Sequence, residues 1–445
     1  MPSPLPPAEA SPAGRPHPSF AEAFRFWLKL GFISFGGPTG QIAIMHTELV
    51  DRKKWIDEDR FLHALNYCML LPGPEAQQLA IYIGWLLHGT QGGIVAGALF
   101  VLPSAFILWA LSAVYVTWGQ LAWIAAIFAG LKPAVLAIVV AAAIRIGRRA
   151  LKNEVMWSLA ALAFIAIFFF GAPFPAIIVA AGLLGFTGHR LWPQKFSVLK
   201  GHGPARADDS VIGRHAAAAA APTAGRALRV VAACGALWFA PILLAGALLG
   251  WKHPLFAQGI FFSKAAMVTF GGAYAVLPYV SQQAVEHYHW LAPGQMLDGL
   301  ALAETTPGPL IMVLQFVGFV GAWKMPAPFS PLVGATLGAA MTTWATFLPC
   351  FMWIFLGAPY LERLRGNARL TAALSAVTAA VVGVVLNLAV WFGLHVLVPA
   401  GAPVNWPGIA IAVVAFLGLQ RWKWDIIPVV GGAATLGLLR WLLGL

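Results

Sequence analysis

Long apolar runs, interrupted at matched places by glycine and proline, dominate the chain. Runs at about 91–118, 120–146, 154–170, 173–188, 229–250, 329–358, 369–397, 405–420 and 425–443 read as membrane-crossing helices, since about 20 apolar residues span the hydrocarbon core. Four other stretches behave differently. Run 20–36 stops at Gly36-Gly37-Pro38 and gives way to 38–50, which carries Gln41, His46 and Glu48 and is too short and polar to cross alone. Runs 60–71 and 74–88 flank Pro72-Gly73-Pro74. The scheme returns at 257–285 around Gly271-Gly272, and at 296–322 around Pro307-Gly308-Pro309. Each such stretch is expected to be a short helical hairpin that enters and leaves on one side. One broken spanning helix over 20–50 is the rival arrangement.

The two sets of breaks stand in one register. A shift of 235 carries Lys29 to Lys264, Gly36 to Gly271, Trp55 to Trp290 and Pro72 to Pro307 without a gap. That is an internal repeat. It divides the chain into a Pro- and Ala-rich disordered tail (1–19), a first transmembrane repeat (20–188), a basic cytoplasmic linker (189–228), an extra helix without a counterpart (229–250) and a second repeat (251–445). Basic loops belong on the cytoplasmic side. With the N-terminus inside, Arg145-Arg148-Arg149-Lys152, Glu362-Arg363-Arg365-Arg369 and Arg421-Lys423 all fall inside. They occupy different repeat positions in the two halves, which inverted halves explain most economically. The expected fold is an all-α polytopic membrane protein with two inverted-topology repeats and broken, re-entrant helical hairpins.

Composition agrees. Of 445 residues, 60% are hydrophobic and 10% charged, against roughly 25% charged in soluble domains. The net charge of +12 fits loop topology rather than nucleic acid as a partner. Cys68, Cys234 and Cys350 lie far apart in apolar runs and read as core residues. No nucleophile–base pair, metal-ligand spacing or nucleotide loop is legible, so an enzyme, a cofactor, a metal site and direct ATP drive are not expected.

The breaks carry the candidate chemistry. Pro38, Pro74 and Pro309 stand where new helices begin, as proline at a helix start allows. The second half reads Gly271-Gly272-Ala273 where the first reads Gly36-Gly37-Pro38. Each restart leaves free N–H groups and partial positive charge inside the membrane, suited to an anion. Lys29 and Lys264 lie two turns before their glycine pairs and are either cations for that anion or lysines reaching the interface. Ser34 and Thr269 donate either to an oxyanion or to their own helix backbone. Thr39 and Thr306 are further donors. Of two carboxylates near the breaks, Glu304 is the better proton-coupling candidate, because Glu75 is expected as the second residue of a helix begun by Pro74, whose N-terminus favours its ionised form.

Phe26-x-x-Lys29-Leu-Gly-x-x-Ser34-Phe-Gly36-Gly37-Pro38 and Leu70-Leu71-Pro72-Gly73-Pro74 resemble the N-terminal half of the chromate ion transporter family. Phe270-Gly271-Gly272-Ala-Tyr274-x-x-Leu-Pro278 and Ala303-Glu304-Thr305-Thr306-Pro307-Gly308-Pro309 resemble the C-terminal half of its long-chain, two-domain members. The resemblance implies a bacterial inner-membrane secondary transporter that exports chromate and confers resistance, coupled to the membrane potential or a proton gradient. It also implies sulfate as a chemical relative of the substrate. A carrier for sulfate or another small anion, and an anion channel, are the alternatives. Expected partners are chromate and sulfate, protons or another coupling ion, the lipid bilayer and a second copy in a homodimer.

Overall fold

The computed structural model describes residues 17–35, 37–196, 223–270, 272–358, 368–398, 401 and 403–444. Most of the expected tail, the linker between 197 and 222, the basic loop at 362–365 and the expected site residues Gly36 and Gly271 lie outside the described residues.

All regular structure among the described residues is helical. In chain order, the first half holds α1 (Phe20–Ile33), α2 (Gly37–His46), α3 (Glu58–Leu70), α4 (Glu75–Trp118), α5 (Ala122–Ala150), α6 (Glu154–Phe170), α7 (Phe174–Leu191) and the single turn α8 (Pro193–Phe196). Then come α9 (Ala224–Leu249), α10 (Pro254–Val268), α11 (Ala273–Gln282), α12 (Pro293–Thr305), α13 (Val313–Lys324), α14 (Pro331–Gly357), α15 (Ala368–Leu397), α16 (Trp406–Gln420) and α17 (Ile426–Leu442). Polar side chains mark several starts: Ser19, Asp57 and Asn153 each accept a backbone N–H of the first turn, as helix caps do.

Among the described residues, six helices are long and apolar enough to cross a membrane: α4, α5, α7, α9, α14 and α15. Exposed tryptophans gather at helix ends. Trp118 and Trp123 flank the α4–α5 turn, Trp406 opens α16, and Trp422 and Trp424 flank the α16–α17 turn. Their amphipathic rings suit the membrane–water interface. The chain is a multi-pass membrane protein.

Three expected boundaries shift. The run 74–88 and the span 91–118 form one continuous helix, bent where His88 and Gly89 leave helical geometry, with Gly89 at φ 62°. α7 runs on to Leu191, and the extra helix begins at Ala224, so helix consumes both ends of the expected linker. Glu75 is the first residue of α4, not the second, because Pro74 itself is the capping residue.

The two halves interlock. α5 of the first half packs most extensively against α16 and α17 of the second, and α15 of the second half against α6 and α7 of the first. Small residues allow the close approach. A Cβ added at Gly130 of α5 would lie 2.9 Å from the Cα of Gly437 in α17. The breaks sit at the centre of the largest apolar core, between Leu79, Ala273, Leu310 and Ile311.

Candidate functional site

Each break is built on a glycine with positive φ, a conformation that side-chain-bearing residues avoid. Gly37 (φ 67°) and Gly272 (φ 93°) open α2 and α11, and Gly73 (φ 119°) and Gly308 (φ 103°) sit between their prolines. The four breaks meet. A pocket between them is lined by Pro38 and Gln41 from the first, Pro74 and Glu75 from the second, Gly272 and Ala273 from the third and Pro309 from the fourth. In this conformation it leaves room for about one water molecule.

The breaks are tied by bonds that cross between the halves. The N–H of Gly73 donates to the Thr269 carbonyl at 2.8 Å, and the N–H of Gly308 donates to the Ser34 carbonyl at 2.7 Å. Under the shift of 235, each bond maps onto the other. A third exchange accompanies them. A Cβ added at Gly73 would meet Cys350 Sγ of α14 at 2.8 Å, and one added at Gly308 would meet Ser104 Oγ of α4 at 2.7 Å. Both contacting residues follow a proline inside their helix, Pro349 and Pro103. Gln41 adds a clamp by donating to the Gly308 carbonyl at 2.5 Å, and Gln78 donates to the Pro72 carbonyl at 2.8 Å.

Helix starts surround the pocket. α4, α11 and the short turn at Leu310–Met312 all begin there, and none has a side-chain cap. Ala275 and Met312 spend their N–H groups on Gly272 and Pro309, while the N–H groups ahead of them have no partner within their own helix. The Glu75 carboxylate reaches toward the start of α11, with Oε1 4.0 Å from where a Gly272 Cβ would stand. An acidic group is stabilised between two such ends. Glu304, buried at the end of α12, accepts the Tyr274 hydroxyl of α11 at 2.5 Å.

Several sequence expectations change here. Lys29 and Lys264 are exposed on α1 and α10 and do not line the pocket. Arg145 and Arg149, at the end of α5, are likewise exposed and do not line the pocket. The Ser34 and Thr269 hydroxyls each donate at 2.6 Å to the carbonyl four residues back, Leu30 and Ala265. The Thr306 hydroxyl donates to Ala303. None of these three donates into the pocket, because a hydroxyl at a helix end has a nearer acceptor in its own last turn. Thr39 lies in α2, and Pro72 and Pro307 flank their glycines in the turns.

The family model for chromate transporters matches residues 21–186 and again 256–438. Both segments exclude the extra helix α9, and 256 is 21 shifted by 235, the register of the internal repeat. The chain is 33% identical to a chromate transport protein of Pseudomonas aeruginosa, over 96% of this chain and 93% of that one. It is 30% identical to the chromate transport protein of Cupriavidus metallidurans, over 99% of each. A probable chromate transport protein of Synechococcus elongatus is 27% identical over 85% of this chain and 86% of its own. No solved structure matches.

Proposed function

Because the chain belongs to the chromate transporter family, whose members are transporters and not enzymes, we propose that it exports chromate across the bacterial inner membrane as an ion-coupled secondary carrier and thereby confers resistance. The meeting of four helix breaks, tied by reciprocal bonds between the halves, is the observation that carries this reading. The division into repeats 20–188 and 251–445 of inverted topology belongs to the same proposal. The crosswise packing of α5 and α15 and the exchanged Gly73 and Gly308 bonds support it.

A tetrahedral dianion would sit between the starts of α4 and α11, where Glu75 now stands. Helix ends are worth roughly 0.3–1 kcal/mol each toward an anion. The unengaged N–H groups supply donors for several oxygens. Seating the dianion requires the Glu75 carboxylate to withdraw or take a proton, since two anions at one helix end repel. Glu304, held by Tyr274, is the second proton candidate. The pocket is too small for the substrate as it stands, so loading requires the hairpins to part. A permanently open channel does not have this form.

The membrane potential suits export. Each charge moved through 100 mV is worth about 2.3 kcal/mol, so a dianion leaving a negative interior gains about 4.6 kcal/mol. Sulfate shares the size and charge of chromate and belongs in the same test. Purified protein in liposomes is expected to move chromate under a potential or proton gradient, with saturation and with competition by sulfate. Absence of flux for both anions under every gradient would refute the reading. Unsaturable flux would favour a channel.

A further inference from the structure

A second charged cluster lies inside the bundle, away from the pocket. Lys132 of α5 stands 3.4 Å from Oδ1 of Asp298 in α12. Tyr115, near the end of α4, donates its hydroxyl to Asp298 Oδ2 at 2.8 Å. The Asp298 side chain is only 6% exposed, whereas that of Lys132 is 29% exposed. Asp298 Oδ1 makes no hydrogen bond among the described residues. The ammonium and the carboxylate form an ion pair, and the ammonium remains partly exposed.

The setting of Lys132 favours an anion. A Cβ added at Gly294 would lie 3.3 Å from Lys132 Nζ, and Gly294 belongs to the first turn of α12. That is the electropositive end of a helix, which repels a lysine unless negative charge accompanies it. Asp298 supplies the charge from one turn farther along. The cluster is a separate place. Asp298 precedes Thr305, the last residue of α12, by seven residues, about 10 Å along the axis. On α5, Lys132 precedes Arg145 by thirteen residues, about 20 Å.

We propose that Lys132 is a second seat for the transported oxyanion, distinct from the central pocket, and that the Asp298 carboxylate holds this seat while no oxyanion is there. The proposal rests on the reading of the chain as an oxyanion carrier. The ligand class is a tetrahedral dianion. The ammonium and the Gly294 N–H of α12 would take its oxygens, and the Tyr115 hydroxyl, released by Asp298, would take another. The anion thereby exchanges at Lys132 with a carboxylate of the protein.

Calorimetric titration of the purified full-length protein with sodium sulfate tests this. Asp298→Asn removes the competitor, so the second site should tighten tenfold or more and the stoichiometry should approach two. Adding Lys132→Gln to that variant should return it to one, with the central site unchanged within twofold. Equal stoichiometry and affinity in wild type, Asp298→Asn and the double variant would overturn the seat. If Asp298→Asn fails to fold, flux decides between Lys132→Gln, expected to lose tenfold or more, and Lys132→Arg, expected to keep at least half. Equal flux in these two overturns the seat. Wild-type protein that binds neither sulfate nor chromate overturns the proposed function itself, which separates the two failures.

Discussion

The backbone N–H of Gly308 lies 2.7 Å from the carbonyl of Ser34, a residue of the other half of the chain. Its counterpart joins Gly73 to Thr269 at 2.8 Å. Gly73→Ala and Gly308→Ala should each damage the protein in the same way. Both positions have positive φ, which costs a residue with a Cβ roughly 1–3 kcal/mol, and both press on a side chain across the bundle. The expected result is a lower unfolding temperature of the purified protein and flux reduced tenfold or more for each variant.

Gln41 donates to the Gly308 carbonyl from α2. Gln41→Leu would strip a buried acceptor of this donor, at about 1–3 kcal/mol. The variant should remain in the membrane and lose chromate affinity, seen as a raised KM in vesicle uptake. Gln41→Glu should lose more, because a carboxylate would face a carbonyl and the anion pocket together.

Glu304 and Tyr274 form a buried pair at the end of α12. Glu304→Gln keeps a partner for the tyrosine and removes the ionisable proton. If Glu304 carries the coupling proton, this variant should exchange labelled chromate across the membrane without a gradient yet fail to accumulate it when a proton gradient is applied. Normal gradient-driven accumulation would assign coupling elsewhere, with Glu75 next.

The Ser34 and Thr269 hydroxyls are spent on their own helices. Ser34→Ala and Thr269→Ala should therefore leave the chromate KM within about twofold, since a hydroxyl back-bonded to its own helix contributes little. A tenfold rise would mean that these hydroxyls turn toward the substrate during transport.

Lys29 and Lys264 stand outside the pocket on exposed faces. Cations at such places act by drawing anions toward a site, an effect that salt screens. Lys29→Gln with Lys264→Gln should raise the chromate KM at low ionic strength, and the difference should shrink in about 1 M salt. A difference that persisted undiminished would place the lysines in direct contact with substrate.

The helix breaks were legible because glycine and proline report local backbone geometry, and Gly37, Gly73, Gly272 and Gly308 adopt the positive φ that such residues permit. The long helices were legible from apolar runs to within a few residues. The pairing of Gly73 with Thr269 was not, since no local rule chooses a partner nearly two hundred positions away. The repeat register singles out Lys29 and Lys264, which do not line the pocket in this conformation. Arg145 and Arg149 lie at the end of a helix, where basic residues ordinarily mark membrane orientation. Lys132 and Asp298 carried the signal that had been applied to Lys29, a charge within an apolar segment, but they lack a counterpart in the other half: the shift of 235 takes Asp298 back to His63.

The crosswise packing of α5 on α16 and α17, and of α15 on α6 and α7, bears on how such a protein is assembled. Each half offers its closing pair of helices less surface than the other half does. A chain severed between them could not mature as two independent pieces. Each piece would insert into the bilayer, wait with one flank uncovered and become stable only by clasping its complement, so biogenesis should be concerted rather than sequential.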